Sequence, residues 1–436
     1  MTLSAGVLDA TPAIRCGQRS GGSELCQYRV ERMTLVASGC RPAIGVALER
    51  AYAGVCLSAQ EACAFEHTTS SELLALLQVA DALRVQHHGE VITYSRKVFL
   101  PLTNLCRDYC GYCTFRKDPG DPGAKTMTPD EVLDMASAGA RLGCKEALFS
   151  LGDKPEALFP AMRQELQRYG HRRTLDYLVQ MCQLVLDHTP LLPHANPGVM
   201  GPKDLERLRE VSPSMGIMLE TTSRRLLGTG MVHDNAPDKD PAVRLKTIEN
   251  AGKLKIPFTT GILIGIGETF SERVDALCAI RELQERYGHI QEVIIQNFRA
   301  KPDIPMQAHP EPTLLDFLRT IAVARLVLGG EMNLQAPPNL TPEQYQLLIT
   351  GGINDWGGVS PLTIDFINPE APWPQLRTLA QVSAEMGLRL RQRLTVYPEY
   401  IVHKSGFMAP ALEPRLRAMV DEDGYPLDDE KGVASP

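Results

Sequence analysis

No apolar run in this 436-residue chain approaches the roughly 18 residues needed to cross a bilayer. Residues 1–13 lack the basic segment and long apolar core of a secretory leader. Positive charge is not in excess: 45 Lys and Arg stand against 52 Asp and Glu, for a net charge of -7. A surface that grips nucleic acid through a basic excess is therefore not expected, and neither is a membrane partner. An acidic substrate stays open, because a local pocket can be basic in an acidic protein. Internal repeats and low-complexity tracts are missing too. Cysteine is plentiful, but its number, eleven, is odd, and five fall before residue 64. A disulfide framework fits a chain of this size poorly, so free thiols in a reducing cytoplasm are the expectation.

The apolar share of 44% suits one large globular domain with appendages. Residues 1–33 show no sustained period and read as a flexible extension, with a second Met-Thr-Leu at Met33 as an alternative start. Residues 34–91 read as helical: "SSELLALLQVADALRVQHHG" places apolar residues at steps of three and four and has a glycine at its end. Residues 92–410 alternate short apolar strands with helices. The predicted strands cover 97–102, 146–151, 191–196, 216–220, 258–266, 292–298, 332–337 and 352–360. Thr128-Pro129-Asp130-Glu131 and Thr341-Pro342-Glu343-Gln344 read as helix starts, each with a Thr cap and a Pro in the first turn. Residues 411–436 read as an acidic, solvated tail. The predicted fold class is α/β, a (β/α)8 TIM-type barrel, complete or nearly so, with an N-terminal helical extension. Polar residues gather at the predicted C-terminal strand ends, where such barrels carry their chemistry: "PLTNLCRDYCGYC", "LGDKPE", "HANPG", "ETTSRR", "GIGE", "NFRAKPD" and "APPNL". One large pocket lined by these loops follows.

Cys106, Cys110 and Cys113 follow the first strand at spacing C-x3-C-x2-C. Three thiolates within eight residues on one loop suit a soft metal centre. No histidine or fourth cysteine is spaced to close a structural zinc site. A 4Fe-4S cluster with three Cys ligands leaves one iron open for a ligand. A structural zinc or electron-transfer centre remains an alternative at this point. The other cysteines (Cys16, Cys26, Cys40, Cys56, Cys63, Cys144, Cys182 and Cys278) read as small buried or incidental residues.

This spacing, with aromatic Tyr112 before the last cysteine, resembles the radical S-adenosylmethionine (radical SAM) signature. The resemblance implies that the open iron chelates the amino and carboxylate groups of SAM. An electron then cleaves the sulfonium to give methionine and a deoxyadenosyl radical. It further implies that Asp153, with Glu156 as second choice, takes the SAM ammonium. Glu220 would meet the ribose and Arg224 the carboxylate. Gly265, in "GILIGIGE", would pack on the adenine, glycine allowing close backbone approach. A non-catalytic iron–sulfur protein would leave these residues without a role.

The motif text resembles one family, 7,8-didemethyl-8-hydroxy-5-deazariboflavin synthase, subunit one, over residues 92–405. The carriers are "TYSRKVFLPLTNLCRDYCGYCTFRKDPG", "EALFSLGDKPE", "LLPHANPGVM", "IIQNFRAKPD", "LQAPPNL" and "INDWGGVSPLT". "LGDKPE" and "CTFRKDP" look like the first subunit rather than its partner, and the chain shows no second triplet. The resemblance implies that a partner subunit joins tyrosine to a ribitylamino-uracil, and that this chain cyclises the adduct with loss of ammonia. It also implies a reductant such as ferredoxin or flavodoxin. Rival readings within the class are the partner's own reaction and that of a menaquinone-pathway relative. Candidate substrate contacts at strand ends are His194, Asn196, Arg299, Lys301, Gln335, Asn339, Asn354, Asp355 and Ser360. His233, Asp238 and Lys239 are candidates for a lid, and Trp356 for ring stacking.

Overall fold

A computed structural model describes residues 39–428; the extension read at 1–33 and the alternative start at Met33 lie outside the described residues. Three helices come first, Pro42–Tyr52, Ala59–Cys63 and Ser70–His88. Ser58 with Glu61 and Thr69 with Glu72 form capping boxes, so each helix begins with its exposed N–H groups satisfied. Glu72 is also buried against Arg41 at 2.8 Å, which ties two of these helices together. The third packs on the helices Leu314–Leu328 and Tyr345–Thr350, on the outside of a barrel.

The barrel strands are β1 (Val91–Thr103), β2 (Glu146–Leu151), β3 (Leu192–Asn196), β4 (Ser214–Gly216), β5 (Phe258–Ile264), β6 (Ile290–Asn297), β7 (Leu334–Gln335) and β8 (Asp355–Val359). Each runs parallel to its neighbours, and β1 pairs with both β2 and β8, so the sheet closes. Helices cover the outside with apolar faces: Met181, Cys182 and Val185 on one, Val274, Leu277 and Ile280 on another. The predicted start at Thr128 is present as a full capping box with Glu131.

Several boundaries differ from the sequence reading. β4 ends at Gly216 rather than Glu220, because Glu220 adopts φ +65 and keeps only a single bridge to Ile262. Thr341 does not start a helix: Glu343 sits at φ +67, and the helix begins at Tyr345 with Gln344 before it. The stretch from 411, read as a solvated tail, is folded as far as Asp428. It contains the helix Glu413–Ala418 with Leu416 fully buried, and Lys145 pairs with Asp428 at 2.6 Å.

A ninth strand, β9 (Arg389–Gln392), was not expected. It pairs with Val91–Tyr94, while β2 pairs with β1 from Lys97 onward. Along one edge, the thirteen residues of β1 thus serve β9 and then β2, while the other edge pairs with β8. After β9 the chain carries Arg393 and Thr395 to the cavity at the barrel's N-terminal end. The charged alternation Arg-Leu-Arg-Gln looks like a solvated segment in sequence, and only the pairing with β1 makes it a strand.

Candidate active site

The loop between β1 and the helix Pro129–Arg141 holds the three cysteines. Its shape is set by backbone hydrogen bonds to the β4–β5 connection: Tyr109 N donates to Asn235 O (2.9 Å) and Gly111 N to Val232 O (2.9 Å). Cys106 Sγ accepts from Asp153 N at 3.2 Å and Asp108 N at 3.4 Å. Gly152 permits this approach, since a Cβ there would stand 2.0 Å from Leu105 O and 2.6 Å from Cys106 Cβ. Burial pushes the Cys106 thiol up to about 12 and Cys110 higher still. Without metal these sulfurs are thiols at neutral pH, and a bound cation is what converts such groups to thiolates. The donor set fits a 4Fe-4S cluster: Cys106, Cys110 and Cys113 all line one cavity and would supply it with three thiolate ligands.

That cavity, of about 350 Å³, runs from the cysteines into the barrel. On its wall, Asp153 is buried, with Oδ2 accepting from Val199 N at 2.9 Å and Oδ1 3.1 Å from Lys154 Nζ. Burial raises its carboxyl, and the nearby Asp238 adds to the effect. Glu220 Oε1 lies 2.5 Å from Lys239 Nζ. Burial alone would raise Glu220, but Lys239 and Arg244 hold it below the usual carboxylate range. Tyr112 lines the same wall, its hydroxyl 3.2 Å from His233 Nε2.

Three residues read as SAM contacts are not brought to this cavity. Arg224 is 70% exposed and pairs with Asp240 at 3.3 Å. Glu156 accepts from Thr174 N and Oγ1 at 3.2 and 2.6 Å, where it secures the start of the helix Thr174–His188. Gly265 is at φ +86 and abuts Pro312, whose Cδ would be 2.6 Å from an added Cβ. His233 and Asp238 form no lid. Both are buried, and Asp238 accepts from Arg107 and, at 3.1 Å, from Lys154, tying the loops behind Cys106 together.

Of the substrate candidates, His194, Asn196, Arg299, Lys301 and Gln335 line the cavity. The others do not, and their partners show why. Asn354 binds Arg325, Asn333 and Leu334 N. Asn339 holds Asp365 and Ala371 O. Ser360 caps the turn at Leu362 and Thr363. Trp356 is core, packed edge-on against Tyr345. Asp355 sits behind Arg393, which does line the cavity. Sequence reading missed Lys97, Glu146, Glu292 and Arg393. Polar residues inside strands were the available signal, but the inward face of each strand was not known without the closed barrel.

His194 Nδ1 lies 2.7 Å from Ser214 Oγ and 3.2 Å from Thr395 Oγ1. Burial holds His194 down at about 4, and His289 likewise at about 4. Both rings are neutral in the fold and take up protons near 6.5 once unfolded, so the unfolded state binds more protons below that pH. Stability therefore falls as pH drops from 6.5 toward 4, by on the order of 1–2 kcal/mol per ring at pH 5. Urea midpoints at pH 7.5 and pH 5 are expected to differ accordingly, and His194→Asn is expected to narrow the gap. Equal midpoints at the two pH values would refute this.

A closed parallel barrel with three cysteines after its first strand, facing a cavity built from the other strand ends, defines the radical SAM class. Residues 100–278 match the model of the radical SAM superfamily. The chain is 46% identical over 335 residues to the 7,8-didemethyl-8-hydroxy-5-deazariboflavin synthase of Methanopyrus kandleri, covering 77% of this chain and 99% of the relative. The chain belongs to that synthase family. It is also 51% identical over 392 residues to the FO synthase of Mycobacterium tuberculosis, covering 86% of this chain and 46% of the relative. It thus spans about half the length of the FO synthases it matches. Among solved structures, the FeFe-hydrogenase maturase HydG of Carboxydothermus hydrogenoformans shares the fold, with a TM-score of 0.68 at 19% identity, covering 94% of this chain and 92% of that one. Among the described residues no helix is long and apolar enough to cross a membrane.

Proposed function

We propose that this chain converts 5-amino-5-(4-hydroxybenzyl)-6-(D-ribitylimino)-5,6-dihydrouracil to 7,8-didemethyl-8-hydroxy-5-deazariboflavin and ammonia, as a radical SAM carbon–nitrogen lyase. The observation that carries this reading is one cavity with three cysteine sulfurs on its upper wall and buried polar side chains at its base. The names of the two relatives supply the product.

In this reading Cys106, Cys110 and Cys113 hold the 4Fe-4S cluster. Asp153 takes the SAM ammonium and Glu220 a ribose hydroxyl. Lys239, buried beside Glu220 and 5.6 Å from the Tyr112 ring centre, takes the SAM carboxylate in place of Arg224. The reduced cluster, when bound, supplies the electron that cleaves SAM to the radical that removes a substrate hydrogen. The protein's own work is to bind, orient and exclude water. Phe99 stacks on Trp373 (5.1 Å) at the cavity, and Thr114 Oγ1 donates to Ile367 O at 2.7 Å, which ties the cysteine loop to the loop after β8 and narrows the mouth. Ring closure and loss of ammonia would follow, the one remaining electron would return to the cluster left oxidised when SAM was cleaved, and the remaining proton would leave to solvent, which completes the product.

The adduct would come from a partner activity joining tyrosine to the ribitylamino-uracil. The unmatched half of the longer FO synthases is the natural place for that activity. A ferredoxin or flavodoxin would supply electrons, and the cytoplasm is the compartment that keeps these thiols reduced.

The test is anaerobic. The reconstituted protein is reduced with dithionite and given SAM and the adduct, and deoxyadenosine and deazaflavin fluorescence are followed. Appearance of both supports the reading; deoxyadenosine without deazaflavin sinks the substrate. Lys239→Met is expected to raise the KM for SAM and lower deoxyadenosine formation at least about 100-fold, the scale of losing a buried charge-assisted contact. Arg224→Ala is expected to stay within about twofold of the parent. Equal behaviour of the two variants would remove Lys239 from this role.

A further inference from the structure

β8 carries two adjacent glycines, and both make room for a neighbour's polar side chain. A Cβ at position 357 would stand 2.1 Å from Gln335 Nε2 and 2.4 Å from its carboxamide carbon. A Cβ at position 358 would stand 2.5 Å from Lys97 Cε and 3.1 Å from its Nζ. Gln335 on β7 and Lys97 on β1 therefore reach over β8 into the cavity from opposite sides. Gly357 has φ +68 as well, so both its backbone and its missing side chain serve this arrangement.

The neighbouring polar groups are already committed to one another. Asp355 accepts from Arg393 and Thr93, and Glu292 accepts from Arg393 and Thr259. Asn354 and Asn333 bind each other and the surrounding backbone. Lys97 pairs with Glu146 at 2.8 Å. Gln335 differs. Its side chain lines the cavity, no hydrogen bond to a neighbour holds its carboxamide among the described residues, and the amide atoms stay open to the cavity rather than sealed away from it. A carboxamide that faces a cavity and is not held by a protein partner is free to take a ligand or a water there.

We infer that Gln335 reads the imide edge of the substrate's pyrimidine ring. The inference rests on the adduct being the substrate. A carboxamide presents a fixed donor and a fixed acceptor side by side. The ring's N3–H and an adjacent carbonyl oxygen are the matching pair: N3–H donates to Gln335 Oε1, and Gln335 Nε2 donates to the carbonyl. The phenol and the ribityl hydroxyls rotate and require no such fixed pair. Lys97, across the glycine pair, offers an ammonium proton to a carbonyl of the same ring. The ring is then held at the base of the cavity, and the benzyl arm is left to rise toward the cysteines.

The test uses the reconstituted holoenzyme with SAM and no reductant, and measures binding by calorimetry. The ligands are the adduct and its N3-methyl derivative. Wild type is expected to bind the N3-methyl adduct about 10- to 100-fold more weakly, the scale of a lost hydrogen bond plus an unpaired buried group. Gln335→Met, close in volume, is expected to weaken binding of the adduct by a similar factor and to show little further loss on methylation. A steric clash elsewhere would penalise methylation equally in both proteins, and that result overturns the inference. So does wild-type binding that ignores the methyl group. Failure of wild type to bind or turn over the adduct at all refutes the substrate reading instead, and the inference with it. Thermal melting of Gln335→Met checks that the barrel is intact.

Discussion

Cys110→Ala is expected to reduce both deoxyadenosine and deazaflavin to background. Cys110 lies against Tyr112 and Leu226 in a small cluster at the cavity's upper wall. It is the middle of three cysteines within eight residues of one loop that carries no fourth cysteine, so no other sulfur on that loop can take its place. Two thiolates do not retain a cubane whose fourth iron must stay open to a ligand. Iron and sulfide per chain are expected to fall with activity. The apo protein's melting temperature is expected to change little, because the substitution removes one sulfur from a partly exposed loop. The contrast is Cys182→Ala, fully buried in the helix Thr174–His188, which is expected to lower stability by about 1 kcal/mol and leave chemistry intact. Deoxyadenosine formed at the parent rate by Cys110→Ala would end the radical SAM assignment of this loop.

The largest stability effect is expected at Arg393. Its guanidinium is 2% exposed, donates to Asp355 at 2.6 and 2.9 Å and to Glu292 at 3.0 Å, and stacks 4.0 Å from the centre of the Tyr397 ring. The neighbouring carboxylates raise Arg393 well above its ordinary value, against the effect of burial. Arg393→Leu strands two buried carboxylates and is expected to cost about 3–5 kcal/mol. The loss is expected to be greatest near pH 8 and to shrink toward pH 5, where the stranded carboxyls can take up protons. Urea unfolding of the variant at both pH values checks it. A loss under about 1 kcal/mol at pH 8 would show that the ion pairs do not hold this end of the barrel.

Arg393 also shows where the limit of sequence reading lies. The residue follows a segment of alternating charge and sits thirty-eight positions from Asp355 and a hundred and one from Glu292. No local pattern announces that these three meet. Arg224 and Lys239 teach the same lesson from the other side. Both are basic residues after the fourth strand, but only a fold in which Lys239 turns toward Glu220 distinguishes them. Gly265 lies in a glycine-rich strand end that suggested approach by a ligand, and the approaching group is Pro312. In each case the deciding partner comes from a different strand or loop.

What the sequence by itself determined is what short-range spacing can encode. Three cysteines within eight residues specify a metal loop, and alternating strands and helices specify a parallel barrel. Capping residues such as Thr128 specify a helix start. These follow from ligand reach and backbone periodicity over a few residues. Only the tertiary structure decided which polar side chains face the cavity. It also decided that β9 pairs with β1, and that Gln335 reaches the cavity across Gly357. Closing the barrel brings residues from all along the chain within hydrogen-bond distance of one another, and burial there makes a missing partner as consequential as a present one.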